Sequence, residues 1–126
     1  SYQKKIMEQK HILGKKGEAI AKAYLIKMSY LIVEKNWKHL KAEIDLIAQK
    51  DDFIVFVEVK TRSTVNYGHP ESFVSEKQQN RIIGAANEYI QKNDIHSEAR
   101  FDIISIIKSK NTEIINHIEG AFYPTL

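Results

Sequence analysis

The chain has no cysteine among its 126 residues, which removes disulfides, thiolate catalysis and cysteine-ligated zinc from consideration and fits a reducing compartment. Only two prolines and five glycines are present, too few for a collagenous or low-complexity chain. No apolar run is long enough to span a bilayer and no signal-peptide pattern opens the chain, so the expectation is a cytoplasmic protein. A G-x-S-x-G elbow, a dinucleotide-binding glycine fingerprint and internal repeats are all missing. The run GKKG at 14–17 lacks the length of a P-loop and its terminal Lys-Ser/Thr pair. The five histidines are scattered without metal-ligand spacing, and His117 reads as a strand residue and not a ligand.

Apolar content of 43% and charged content of 28% are ordinary globular values, and the length suits one domain over 1–126, with 1–12 a flexible or helical extension. Nineteen basic against sixteen acidic residues give a net charge of +3, which permits a polyanionic partner without requiring one. Lys4, Lys5, Lys10, Lys15 and Lys16 make the N-terminal segment basic, the usual composition of a solvated face.

From about Lys4 to Met28 the pattern is helical, with interruptions expected at Gly14 and Gly17, and Glu18 lies along the edge of its apolar stripe. A first strand over Tyr30–Trp37 leads through a polar turn at Lys38, His39 and Lys41, with Trp37 as a core-edge anchor. EIDLIAQK and FIVFVEVK flank Asp51 and Asp52 and read as a hairpin, so the three strands form an antiparallel meander. Ser75 followed by Gln78 is the capping box of a second helix, whose first turns carry Lys77, Gln78 and Arg81 where exposed N–H groups favour an anion. RFDIISIIK is dense enough in Ile to be a strand covered on both faces, and EIINHIEGAF is a final edge strand.

The central hairpin carries the chemistry. An even loop centred on Asp51 and Asp52 sets Asp45 across from Glu58 and Glu43 across from Lys60. Like charges directly opposite destabilise a sheet, so something must offset the repulsion between Asp45 and Glu58, and a divalent cation is the simplest candidate. Glu43 is then the expected ion-pair partner of Lys60. The same Glu and Lys at a strand end also fit a solvated edge that discourages aggregation. The turn-rich TRSTVNYGHPES that follows is expected to be a mobile flap, with Arg62 and His69 as candidate phosphate contacts.

GEAIAKAYL, EIDLIA, FVEVKTR, the Lys77-Gln78 pair opening a helix, RFDII and HIEGAF, in that order, resemble the YraN-type family of uncharacterised endonuclease-like proteins. The resemblance runs from about Gly14 to Phe122 and departs at Ala42, where the family usually has Gly, and at Gly120, where it usually has Asn. That family is similar in turn to the PD-(D/E)XK nucleases, especially the Holliday-junction resolvases. The resemblance implies an α/β, restriction-endonuclease-like αβββαβ core with a central mixed sheet flanked by helices. It also implies a catalytic set of Asp45, Glu58, Lys60 and Glu18, with Asp45, Glu58 and the Val59 carbonyl holding Mg2+ or Mn2+. Nucleic-acid contacts would come from Arg62, Lys77, Gln78 and Arg81, and the substrate would be DNA, branched or junction DNA included. Resolvase-like relatives act as homodimers. A binding module of the same fold with little intrinsic cleavage, and a protein-interaction subunit, are the alternatives.

Overall fold

The computed structural model describes residues 1–63 and 74–124. Its centre is β3 (Phe53–Arg62), where the alternation of FIVFVEVK sends Phe53, Val55, Val57 and Val59 to one apolar cluster and Ile54 and Phe56 to another. A strand buried on both faces needs a layer on each side. Those layers are helices α1 (Tyr2–Lys27) and α2 (Glu76–Lys92).

The five strands lie in the order β1 (Leu31–His39), β2 (Ala42–Lys50), β3, β4 (Glu98–Lys108), β5 (Glu113–Phe122). The pairs β1–β2, β2–β3 and β4–β5 are antiparallel, whereas β3 and β4 are parallel across the connection that carries α2. This is the mixed sheet of a restriction-endonuclease-like αβββαβ fold, with β5 added as an edge.

The α2 side buries Ile82, Ala85, Ala86 and Tyr89 on Ile44, Ile54, Phe56, Phe101 and Ile103. Trp37 anchors the margin of this cluster edge-on to Tyr89, at 5.1 Å between ring centroids. Ser75 caps α2, its Oγ accepting the Gln78 N–H at 3.1 Å, as the capping-box spacing anticipates. The α1 side buries Ala21 and Leu25 on Leu46, Ala48, Val55, Val57, Ile104 and Ile106.

Two expectations need correcting. Helix α1 is uninterrupted through Gly14 and Gly17. A Cβ at Gly17 would overlap the Thr61 side chain, so this glycine lets α1 approach β3 closely and packing outweighs its poor helix propensity. Strand β1 runs on to His39, which leaves Leu40 and Lys41 alone in the turn.

Candidate active site

The β2–β3 register runs from Lys50↔Phe53 to Leu46↔Val57, which brings Asp45 opposite Glu58 at the point where the ladder stops. There the Val59 N–H donates to Asp45 Oδ2 at 2.8 Å. The period of two fails at this spot: Ile44 belongs to the α2-side cluster, whereas Leu46, two residues on, belongs to the α1 side. On β1, Asn36 lies between the residues paired with Leu46 and Ile44 and has φ of 49°, a left-handed conformation that Asn tolerates better than most. Strands β2 and β3 therefore diverge at Asp45 and Glu58, and the pair lines cavities on both sides of the fork.

On the α2 side, about 440 Å3 is enclosed by the pair together with Lys41, Glu43, Ser75, Lys77, Gln78 and Arg81. On the α1 side, about 590 Å3 is lined by the pair with Lys10, Glu18, Val59, Lys60, Thr61 and Arg62. Each site residue expected from the sequence, other than His69, thus borders one of two cavities that share Asp45 and Glu58. His69 and the flap expected after Ser63 lie outside the described residues.

Burial dominates the electrostatics. It pushes the Asp45 carboxyl up to about 6, with the Val59 N–H opposing, and the Glu58 carboxyl up to about 8, with the Asp45 charge adding to the rise. Both shifts run upward, so the fold favours a protonated carboxyl within the pair. Lys60 Nζ lies 3.8 Å from Glu58 Oε1 and pulls the other way. The expected pairing of Lys60 with Glu43 is corrected: exposed Glu43 sits in register with Lys38 of β1, beyond the end of the β2–β3 ladder.

Glu18 borders the α1-side cavity, but its Oε1 accepts Asn36 Nδ2 at 2.9 Å and lies 3.9 Å from Lys15. Among the described residues no group of three or more His, Cys, Asp or Glu is gathered as a metal cage. The half-buried Asp45 and buried Glu58 still suit one kind of ion. Mg2+ keeps several waters and is commonly held by one or two carboxylates plus substrate phosphates, and a divalent cation would offset the repulsion between the two carboxyls.

Residues 17–106 match the family described as "Uncharacterised protein family UPF0102". The chain belongs to UPF0102. A UPF0102 protein of Flavobacterium psychrophilum is 45% identical over 93% of this chain and 98% of its own length. One from Christiangramia forsetii is 44% identical over 93% and 98%, and one from Phocaeicola vulgatus 39% identical over 95% and 99%. The UPF0102 match covers α1 from Gly17, the fork and α2, and ends in β4.

Three features of this UPF0102 chain escaped the sequence reading. Lys10 lies on the helical row of Gly14 and Glu18, a spacing of four that could have placed it at the site. Asn36, which holds Glu18, carried no signal. The third is a buried network on the α1 face: Asp102, fully buried, accepts two bonds from Arg100 at 2.9 Å, one from His117 Nε2 at 2.7 Å and one from the Gly120 N–H at 3.0 Å. Arg100 also donates to Tyr30 Oη at 2.6 Å, and His117 Nδ1 lies 3.0 Å from Tyr24 Oη. Burial alone would raise Asp102, but the bonds from His117, Arg100 and Gly120 outweigh it and hold the carboxyl below its usual range. His117 is thus the strand residue the sequence indicated, with Asp102 as its partner. Gly120, with φ of 57°, occupies a conformation that Gly and Asn both accept. Among the described residues no helix is long and apolar enough to cross a membrane.

Proposed function

We propose that this protein is a metal-dependent nuclease that hydrolyses phosphodiester bonds in DNA. The observation that carries the reading is the opposed pair of half-buried Asp45 and buried Glu58 at the fork of β2 and β3, flanked on both sides by cavities with cationic walls. Asp45, Glu58 and the Val59 carbonyl would hold Mg2+ or Mn2+. Such a cation supplies charge to stabilise a phosphorane and acidity for the attacking water.

The chain's own groups do the rest. The Val59 N–H fixes the Asp45 carboxylate, so its orientation costs nothing when the substrate arrives. Lys60, beside Glu58 at the mouth of the α1-side cavity, orients the nucleophilic water or neutralises charge on the phosphorane. Lys77, Gln78 and Arg81 on one side, and Arg62 on the other, hold backbone phosphates and so give affinity without sequence information. Glu18 reaches the cation only if it exchanges its Asn36 bond, directly or through a water.

That Asn36 bond also favours a second reading, a nucleic-acid-binding module with the nuclease fold and little cleavage, because it leaves two carboxylates and not three at the fork. Incubating the protein with linear, flapped and branched DNA in Mn2+, beside an Asp45→Ala control, separates the two. Cleavage lost in the control supports the nuclease. Binding without cleavage under every metal supports the module, and cleavage that survives Asp45→Ala contradicts the site.

A further inference from the structure

The β1–β2 turn holds a residue at odds with its own backbone. Leu40 has φ of 55° and is 92% exposed, the most exposed large apolar side chain among the described residues. The other non-glycine residues there with positive φ are Ser29, Asn36, Asp51 and Asp94, small polar types, three of them Asn or Asp, which tolerate that region best. A direct comparison lies one hairpin away. The β2–β3 turn has the same two-residue length, closed by Lys50↔Phe53, and uses Asp51 at φ of 53°. In the β1–β2 turn, closed by His39↔Ala42, a γ-branched apolar residue takes the equivalent place. Neither local conformation nor burial favours leucine at this position.

Its surroundings indicate what would. Lys38 and Lys41 flank it in sequence, and the Trp37 and His39 rings stack on the same hairpin at 6.0 Å. Lys41, Ala42 and Arg81 line both the cavity that holds Asp45 and Glu58 and a neighbouring cavity of about 550 Å3 bordered by Leu40. The turn is therefore continuous with the α2-side mouth of the site, and its nearby charges suit a polyanion.

We propose that Leu40 is an apolar wedge that inserts into the base stack of a DNA duplex held at the site, while Lys41 and Arg81 hold the adjoining phosphates. Apolar side chains inserted in this way unstack a base step and open the duplex locally. Leu40 lies in the turn before β2, five residues from Asp45, a span of at most about 16 Å at the strand rise of ~3.3 Å per residue, or about five base steps. The proposal rests on reading the site as a nucleic-acid site and adds to it a residue that positions the duplex.

The test uses the full chain in EDTA and duplexes carrying 2-aminopurine at successive positions, with Leu40→Asn and Leu40→Phe. For the wild type, fluorescence rises at one step about five base pairs from the bond cut in Mn2+. Leu40→Asn loses that rise and binds about tenfold more weakly, although its melting temperature is unchanged or higher, whereas Leu40→Phe keeps the rise. Equal fluorescence and affinity for wild type and Leu40→Asn overturn the wedge, as does a failure of the wild type to bind any duplex. Leu40-dependent unstacking without cleavage in Mn2+ keeps the wedge and removes the nuclease. Cleavage with Leu40-independent binding does the reverse.

Discussion

The Val59 N–H donates to the carboxylate of Asp45, at a place in the sheet where an antiparallel ladder would otherwise offer a main-chain carbonyl. One side chain thereby caps the end of the β2–β3 pairing and is aimed across the fork at Glu58. Structure and proposed chemistry share an atom there, and they can be separated by substitution. Asp45→Asn keeps an acceptor for the Val59 N–H but removes the charge; Asp45→Ala removes both. Asp45→Ala should be the less stable of the two by about 1–3 kcal/mol, the cost of a buried donor without a partner. Urea unfolding at pH 7 measures the difference, and both variants should lose cleavage in Mn2+.

Glu58 should make stability depend on pH in a definite direction. Its folded pKa, about 8, lies above the unfolded value, so folding favours the protonated carboxyl. The stability this group contributes is full below about pH 4 and is lost as pH rises toward its folded value. Glu58→Gln imitates the protonated form. Its advantage over the wild type should therefore grow as pH rises from 4.5 to 8. Added Mn2+ should reverse the order at pH 8 by stabilising the wild type alone. Denaturant titrations at three pH values check this, and a difference that stays flat with pH would contradict it.

Asp102 should behave in the opposite sense. Its carboxyl is held below the usual range, so its stabilisation is present above that range and lost as pH falls through the folded value. Asp102→Asn removes the fully buried carboxylate that holds Arg100 and should cost about 3–5 kcal/mol at pH 7. Asp102 and its network lie on β4 and β5 and on α1 and the residue before β1, and none of these residues lines either cavity at the fork, so Mn2+ affinity of the folded variant should match the wild type. Calorimetric titration of Mn2+ at low temperature separates that loss of stability from a loss of the site.

Gly17 should tolerate no side chain. A Cβ there meets Thr61, next to Lys60, so Gly17→Ala should cost about 1–3 kcal/mol by overpacking although alanine is the better helix former. Thr61→Ala in the same chain should recover part of the loss. A double-mutant cycle by thermal unfolding reads the coupling, and strict additivity would show that α1 does not rest on β3 at this point.

The hairpin was legible because its signals were local. Alternation in FIVFVEVK and the two-residue Asp51-Asp52 turn fixed which side chains share a face, and the opposition of Asp45 and Glu58 followed by counting. Counting failed one step further along. Beyond Asp45 the β2–β3 ladder stops and Glu43 pairs in register with Lys38 of β1, so it does not oppose Lys60, and Asn36, on the strand beside the fork, takes a left-handed conformation. The continuity of α1 through Gly14 and Gly17 was hidden for a similar reason, since glycine propensity is local and the contact with Thr61 is not. Arg100 and Asp102 stood two apart on one strand face in plain view. Their partner His117 requires the β4–β5 register, which shifts between Phe101 and Ile103, and no pattern in EIINHIEGAF announces that irregularity.

The most direct measurement is the anomalous difference density of crystals soaked in Mn2+ at pH 8, wild type beside Glu58→Gln. The account predicts a peak between the Asp45 and Glu58 carboxylates in the wild type and none in the variant. A wild-type fork without manganese, or a peak that persists in Glu58→Gln, would contradict it.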